Sequence, residues 1–547
     1  MGDRTEFDVV IVGAGVIGAL VASKLAGERT SVLLIEAGPR EDDRLVMLER
    51  YAAAPRKTMG APYRTDEGTR HAPSPDGPDD YYDHEGSTDK FRATYQRLAG
   101  GSTWHWRGNA PRHVPSDFRM AHEYGVGLDW PIDYDALEPF YGEAERELGV
   151  AGDHEEWDGY LGARRSSPYP MPRVWPTYGD LRFVERIRGP EIDGHAVRVM
   201  STPQARNTQP YDGRPVCTGN STCDPICPIG AKYDGTVHLR RALGGGAQLW
   251  DRCVATKIFA EPNGTVRRVQ CKRWSGETVD AYGRVVIVAA HAIETAKLLL
   301  LSELANSSDQ VGRNLMDHLQ GQVAGLFPEP IHPFRGPPTV SGIDVFRDGK
   351  ARANRAAFRM SVGNDGWGLV EGPYGTLLNA VRKDRLFGTA LRARLEDVLP
   401  RQFRLSYSTE VLPEPSNRVT LSTKKDGHGI PRPKISFTVS DYNRRAFEAA
   451  QKVIGTLFDI AGVTNRSATT GYSSANHIMG TARMGTDASS SVVDIHGRSH
   501  DHRNLFVLGP SMFPTCGTAN PTLTAVALAL HAVPEILSEL GATGASS

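Results

Sequence analysis

An α/β chain of two or three domains is what this sequence predicts, and three observations predict it. At 547 residues it is well past the size at which one hydrophobic core stops growing. The N-terminus reads strand, glycine-rich turn, helix and second strand, in that order. The C-terminus reads strand, loop and long apolar helix, so strands and helices follow one another at both ends.

The first strand is the run Val9–Val12, short and β-branched as a buried parallel strand is. Gly13, Gly15 and Gly18 follow in G-x-G-x-x-G spacing, and helix-forming residues continue to about Ala26. The first glycine permits a tight turn and the second lets the backbone approach a pyrophosphate. The third lets helix and strand pack closely, with phosphates at the helix N-terminus. "SVLLIEAG" then supplies a second strand ending at Glu36, eighteen residues after Gly18, where a carboxylate meets a ribose 2′-hydroxyl. Together these predict a Rossmann-like dinucleotide site. The glycines alone would fit a tight turn in an unliganded α/β fold. Glu36 would repel a 2′-phosphate and disfavours NADP; NAD and FAD stay open at this point.

Sixty-three basic residues against sixty-four acidic ones give a net charge of −1, which argues against nucleic-acid binding by bulk electrostatics. Hydrophobic residues at 39% and charged ones at 23% are ordinary for a globular protein, and six cysteines are too few for a disulfide scaffold. "MGDRTEFDVVIVGAG" shows no basic segment followed by an apolar one, so no export signal is expected. The apolar run at 522–533 is interrupted by threonines and reaches a histidine, so no direct membrane insertion is expected either. The expectation is a cytoplasmic protein, exported only with a partner subunit.

The last helix has a legible start. Asn520 suits an N-cap, Pro521 suits the first helical position, and Thr522 follows. A helix N-terminus carries roughly +0.5 of a charge in unsatisfied N–H groups. Aimed at the pyrimidine edge of a flavin, it would stabilise the anion formed as the ring accepts a hydride.

The chain resembles the glucose–methanol–choline (GMC) oxidoreductases, FAD-dependent oxidisers of alcohols. The likeness covers nearly the whole length: the N-terminal nucleotide motif, "LAGGSTWHWRGNAPR" (98–112), "VIVAAHAIETAKLLLLS" (286–302), "VGRNLMDH" (311–318), "NHIMGTARMG" (476–485) and the C-terminal stretch. "TWHW" and "YGVGLDWPIDYDALEPFYGEAERELGV" (124–150) resemble bacterial catalytic subunits that dehydrogenate glucose, gluconate or sorbitol. One departure is His291, which stands between Ala290 and Ala292 where the family usually has glycine. The resemblance implies FAD as cofactor, with Gly100, Gly101, His105 and Val254 beside it, and a substrate domain built on an antiparallel sheet. It also places His477 and Asn520 over the flavin N5.

Those two residue types suit the chemistry. Hydride leaves a carbinol carbon readily only as the hydroxyl proton departs, and a neutral imidazole with a reference pKa of about 6.5 can take that proton. His477 is the candidate base, and Asn520 would hold the same hydroxyl in place. Set against this, loop histidines are commonly solvated, and Asn520 could spend its side chain capping the helix. In some relatives a histidine in the position of His105 is bonded covalently to the flavin; the motif alone leaves that attachment open.

Cys217, Cys223 and Cys227 lie within "VCTGNSTCDPICPIGAK" (216–232), in C-x5-C-x3-C spacing. Zinc sites normally take four ligands, and no C-x2-C pair exists here. A disulfide would leave one thiol over. Thiolates ending in Cys-Pro suit an iron–sulfur cluster, three of them a three-iron (3Fe-4S) one. The resemblance to glucose dehydrogenases implies the same cluster; a loop retained for packing is the plainer reading. Its role would be a one-electron relay to a quinone, cytochrome or partner, and without it O2 would be the acceptor.

A discontinuous FAD domain is expected from 1–45, 205–320 and 470–547, with 46–204 as lid, linker and flavin-contacting segments and 321–469 as the substrate domain. Strands are expected at 401–412 and 418–423 and a helix at 441–462. The substrate is expected to be a sugar, glycoside or aminosugar. An aminoglycoside 6′-alcohol oxidised with O2 is the alternative, for which acid-rich "DGPDDYYDHE" (76–85) could supply carboxylates. A flavin-containing lyase and an electron carrier are the readings from other classes.

Overall fold

A computed structural model gives the fold and describes residues 5–63 except 28 and 42, then 81–84, 89–368 and 372–544. Most of the acid-rich stretch 76–85 therefore lies outside the described residues.

The first sheet is Rossmann-like. Its order is Gln248–Trp250, Val32–Ile35, Glu6–Val12, Thr278–Val288, Val266–Arg273 and Cys253–Ala260, with Leu505–Val507 also pairing with Thr278–Val288. Glu6–Val12 runs parallel to both of its neighbours, and the Val266–Arg273 and Cys253–Ala260 edge is antiparallel. Val9, Val10 and Ile11 are wholly buried, which is why this strand reads as an unbroken apolar run. Helices Val16–Leu25 and Pro521–Gly544 pack together against this sheet. Part of the latter, Pro521–Ala542, is long and apolar enough to cross a bilayer. Its most apolar window is two thirds buried, and the helix packs on Val16–Leu25 and Tyr134–Leu148.

The second sheet is antiparallel. Its order is Thr464–Ala468, Leu319–Leu326, Gln402–Thr409, Phe358–Gly363, Ser341–Ile343 and Met200–Ser201, with Ser473–Ser474 also on Leu319–Leu326. Alternation sorts its two faces. Phe403, Leu405 and Tyr407 point into a core shared with Val453, Ile454, Leu457 and Phe458 of the helix Asp441–Ala461. That helix starts where the Ser440 hydroxyl accepts from the Asn443 N–H and ends at Gly462 in the left-handed region. A strand expected at 418–423 runs over Arg418–Lys425 and forms a separate hairpin with Pro431–Ser436. The other sheet face carries Gln320, Gln322, Arg404, Ser406 and Ser408, and it lines a cavity shared with the first sheet.

Candidate functional site

The cavity measures about 730 Å³ and runs from Glu36 to Arg404. At one end it is a dinucleotide cradle. Gly13 has φ +102, and a side chain there would meet the Ala289 carbonyl oxygen at 2.5 Å. A side chain on Gly18 would lie 1.9 Å from the Gly13 oxygen, so this glycine serves helix–strand packing. Gly15 faces Gly101 across open space, with 4.0 Å between a hypothetical Cβ and the Gly101 Cα. Glu36 Oε2 accepts from the Ala14 N–H at 3.0 Å and Oε1 from the Gly38 N–H at 2.8 Å, which fixes the carboxylate at the cavity wall.

Gly13, Gly15, Glu36, Gly101, His105, Val254, Pro521 and Thr522 all line the cavity; Gly18 and Gly100 stand behind its wall. Gly100 has φ +95 and donates its N–H to the Ala14 oxygen at 2.8 Å, tying the 98–112 segment to the glycine-rich turn. His105 is buried, with no hydrogen-bond partner at Nε2, and burial pushes its pKa down to about 4. A neutral imidazole with an orphaned nitrogen, glycines that clear room for phosphates and an anchored Glu36 fit a bound FAD.

His291 caps the helix Ala292–Ser302, accepting the Ile293 N–H at 3.4 Å, and its ring stacks on Tyr95 at 4.1 Å. Its φ of 62° and ψ of 149° belong to a region that glycine occupies freely, which accounts for the glycine expected at this position.

At the cavity's centre His477 and Asn520 come together. Asn520 Nδ2 lies 3.0 Å from His477 Nε2, and Asn520 Oδ1 accepts from Arg359 Nη1 at 2.9 Å. The carboxamide is thereby held in the cleft by two partners. His477 Nδ1 lies 2.8 Å from His318 Nδ1, and His318 Nε2 lies 2.8 Å from the Gly517 carbonyl oxygen. Burial, then His318 and the charge of Arg359, hold the His477 pKa well below the ordinary imidazole value. Asp317 Oδ1 accepts the His477 backbone N–H at 2.7 Å and fixes this turn, where Asn476 has φ +60.

The sequence alone assigns no role to His318, Arg359 or Asp317. Asp317 and His318 close the "VGRNLMDH" motif, so a signal was there, but only folding brings them to His477, 160 and 159 residues further along the chain. Arg359 has no motif at all.

Cys217, Cys223 and Cys227 are free thiols in one loop. Arg206 Nη1 stands 2.9 Å from the Cys223 sulfur and 3.8 Å from that of Cys217. Among the described residues, no three His, Cys, Asp or Glu side chains are grouped so as to hold a metal ion. The donor chemistry nonetheless suits an anionic sulfur centre. Arg206 and Lys232 are both buried, and neither pairs with a carboxylate among the described residues. Burial alone would raise the Cys227 pKa, but a backbone hydrogen bond and the charges of Lys232, Arg206 and Arg44 bring it below the ordinary thiol value.

Profiles of the GMC oxidoreductase family match residues 195–320 and 413–529. The chain is 35% identical to the fructose dehydrogenase large subunit of Gluconobacter japonicus, over 97% of this chain and 98% of that one. It is 29% identical to the 6'''-hydroxyparomomycin C oxidase of Streptomyces lividus, over 99% and 93%. Among solved structures it shares its fold with a pyridoxine 4-oxidase from Mesorbium loti (TM-score 0.63, 19% identity, 97% and 99% covered). A second structure, on FAD modification in Aspergillus oryzae formate oxidase, shares it too (TM-score 0.65, 17% identity, 99% and 100% covered).

Proposed function

The chain belongs to the GMC oxidoreductase family, and on that premise we propose that it oxidises a hydroxyl of a sugar or sugar-containing substrate, with FAD as the hydride acceptor. The observation that carries the reading is the Arg359–Asn520–His477–His318 chain at the middle of the dinucleotide cavity. The chemistry FAD supplies when bound is acceptance of the hydride from the carbinol carbon. His477 Nε2 takes the hydroxyl proton, which leaves a carbonyl product. Asn520 Nδ2 has a second hydrogen for the alcohol oxygen, and its fixed carboxamide orients the C–H bond. Pro521 and Thr522 put the positive end of the last helix at the same place.

The test is anaerobic titration of the holoprotein with neutral sugars, following flavin absorbance. Bleaching is expected. His477→Ala keeps its FAD and loses bleaching; undiminished reduction in that variant would remove the imidazole from the mechanism. A flavin lyase would not bleach in the wild type.

Two finer readings go with it. The orphaned Nε2 of His105 in the cavity wall supports covalent attachment there; acid precipitation leaves the flavin in the pellet, and release into the supernatant overturns it. The thiols beside two buried cations that make no ion pair among the described residues support a 3Fe-4S cluster on Cys217, Cys223 and Cys227; iron and acid-labile sulfide analysis of anaerobically purified protein tests it. With such a cluster, the acceptor is a quinone, cytochrome or partner subunit. The aminoglycoside-oxidase reading, with O2 as acceptor, is supported by the relative from Streptomyces lividus and predicts peroxide during turnover.

A further inference from the structure

We infer that the cavity-facing side of the second sheet is a two-position binding site for a neutral polyol, with Arg404 recognising a second ring. Three cross-strand rows build it. Gln320, Ser408 and Arg359 face one another in register nearest Asn520; Gln322, Ser406 and Ser361 form the next row; and Ala324, Arg404 and Gly363 the third. Two residues separate successive rows, so Arg404 stands about 13 Å along the strand from the Arg359 row at about 3.3 Å per residue. Backbone to backbone, that spacing exceeds the width of one six-membered ring.

Arg404 is a built donor and not a stray surface charge. Its side chain is 3% exposed, and its Nε and Nη2 are held by Asp365 at 2.7 and 2.8 Å. The two glycines flanking it clear its path: a side chain on Gly363 would meet the Arg404 Cγ at 2.6 Å, and one on Gly368 its Nε at 2.9 Å. Among the described residues, Nη1 is the end of the fork left over for a ligand in the cavity.

The charges at this end cancel among themselves. Arg404 and Arg107 pair with Asp365 and Asp224; Arg359, Arg347 and Arg352 pair with Asp344, Asp117 and Glu410. Among the described residues that line it, the substrate end thus offers hydroxyls, amides and compensated guanidiniums, with no uncompensated carboxylate for an ammonium group. Such a surface recognises hydroxyl oxygens, and desolvating a cation against it costs free energy.

The inference rests on the alcohol-oxidising reading for where the reacting hydroxyl lies, so binding is measured apart from turnover. Calorimetry on the holoprotein, with its flavin first reduced by dithionite so that no hydride can be transferred, compares glucose with cellobiose, fructose with lactulose, and glucose with glucosamine. The two-ring sugars bind more tightly than their single-ring counterparts, and glucosamine more weakly than glucose. Arg404→Gln lowers the affinity for cellobiose and lactulose about tenfold, the loss of one charge-assisted hydrogen bond, and leaves glucose and fructose unchanged. Should that variant fail to fold, Ser406→Ala keeps the ion pair and gives a smaller loss on the two-ring sugars. An equal loss on one-ring and two-ring sugars, or tighter binding of glucosamine, overturns the proposal. If no sugar bleaches the flavin but the ring dependence of binding holds, oxidation fails and this site stands.

Discussion

The Nδ1 atoms of His318 and His477 lie 2.8 Å apart, and this contact decides which nitrogen of His477 faces the cleft. The Gly517 oxygen can only accept, so His318 Nε2 carries a hydrogen. Burial holds the His318 pKa at about 4, so the ring is neutral and its Nδ1 is bare. His477 Nδ1 must then donate, which leaves the Nε2 lone pair toward Asn520 Nδ2. The proposed base is therefore held in its accepting tautomer, with Asn520 Nδ2 on the lone pair until an alcohol takes its place.

Removing that partner is expected to cost rate and not cofactor. His318→Leu frees the His477 ring to rotate and to change tautomer, and flavin reduction in stopped flow falls about a hundredfold at unchanged FAD content. His318→Asn, which can still accept from Nδ1, recovers part of the loss. Equal rates in the leucine and wild-type proteins would show that tautomer control is not needed.

The sequence shows this site unevenly. His477 and Asn520 were legible because each sits in a motif, and the glycine spacing with Glu36 marked the cradle from the first 36 residues. The helix 441–462 and the strand at 401–412 were legible from periodicity, within a residue or a few at each end. Arg359 and Arg404 were not: each is a charged residue on a strand, and only the cross-strand register places both above the cavity. Arg206 among the thiols was equally hidden, since its contacts with Cys217 and Cys223 depend on how the loop closes.

Arg359 should also set the acid limb of the pH profile. Its charge is one of the causes that hold the His477 pKa below the ordinary value, and only the unprotonated imidazole can accept the hydroxyl proton. In the wild type, kcat/KM for sugar therefore stays high to well below pH 6.5 before it falls. Arg359→Met removes a like charge, raises that pKa and moves the limb to higher pH. A limb that stays put would assign Arg359 to holding the Asn520 carboxamide alone.

Two glycines of the nucleotide motif should separate folding from binding. Gly15 has φ −74°, and a Cβ there has 4.0 Å of clearance, so Gly15→Ala folds but crowds the phosphates. Its flavin content falls while the midpoint of urea unfolding of the apoprotein is unchanged. Gly18→Ala forces a carbon to 1.9 Å from the Gly13 oxygen and lowers both.

His291 holds a conformation that costs a non-glycine residue about 1–3 kcal/mol, partly offset by a stack on Tyr95 worth about 0.5–1.5 kcal/mol. His291→Ala keeps the cost and loses the stack, so its stability drops by about 1 kcal/mol. His291→Gly loses the stack but relieves the backbone. The glycine variant should thus unfold at higher urea than the alanine variant; the reverse order would show that the backbone at 291 is not strained.

Buried histidines should make the protein acid-labile. Burial pushes His105, His291 and His318 to about 4 each, from 6.5 in the unfolded chain. Between those values the unfolded state binds more protons than the folded one, so stability falls as the pH falls. Asp317 works the other way: burial raises its carboxyl from 3.8 to about 7, and the folded state holds the extra proton there. The imidazoles outnumber the opposing carboxyl, so unfolding takes up protons on balance, and each net proton is worth about 1.4 kcal/mol per pH unit. Scanning calorimetry of the holoprotein should show Tm falling from pH 6.5 to 4.5. Asp317→Asn removes the opposing group and steepens the fall, whereas His291→Gly makes it shallower.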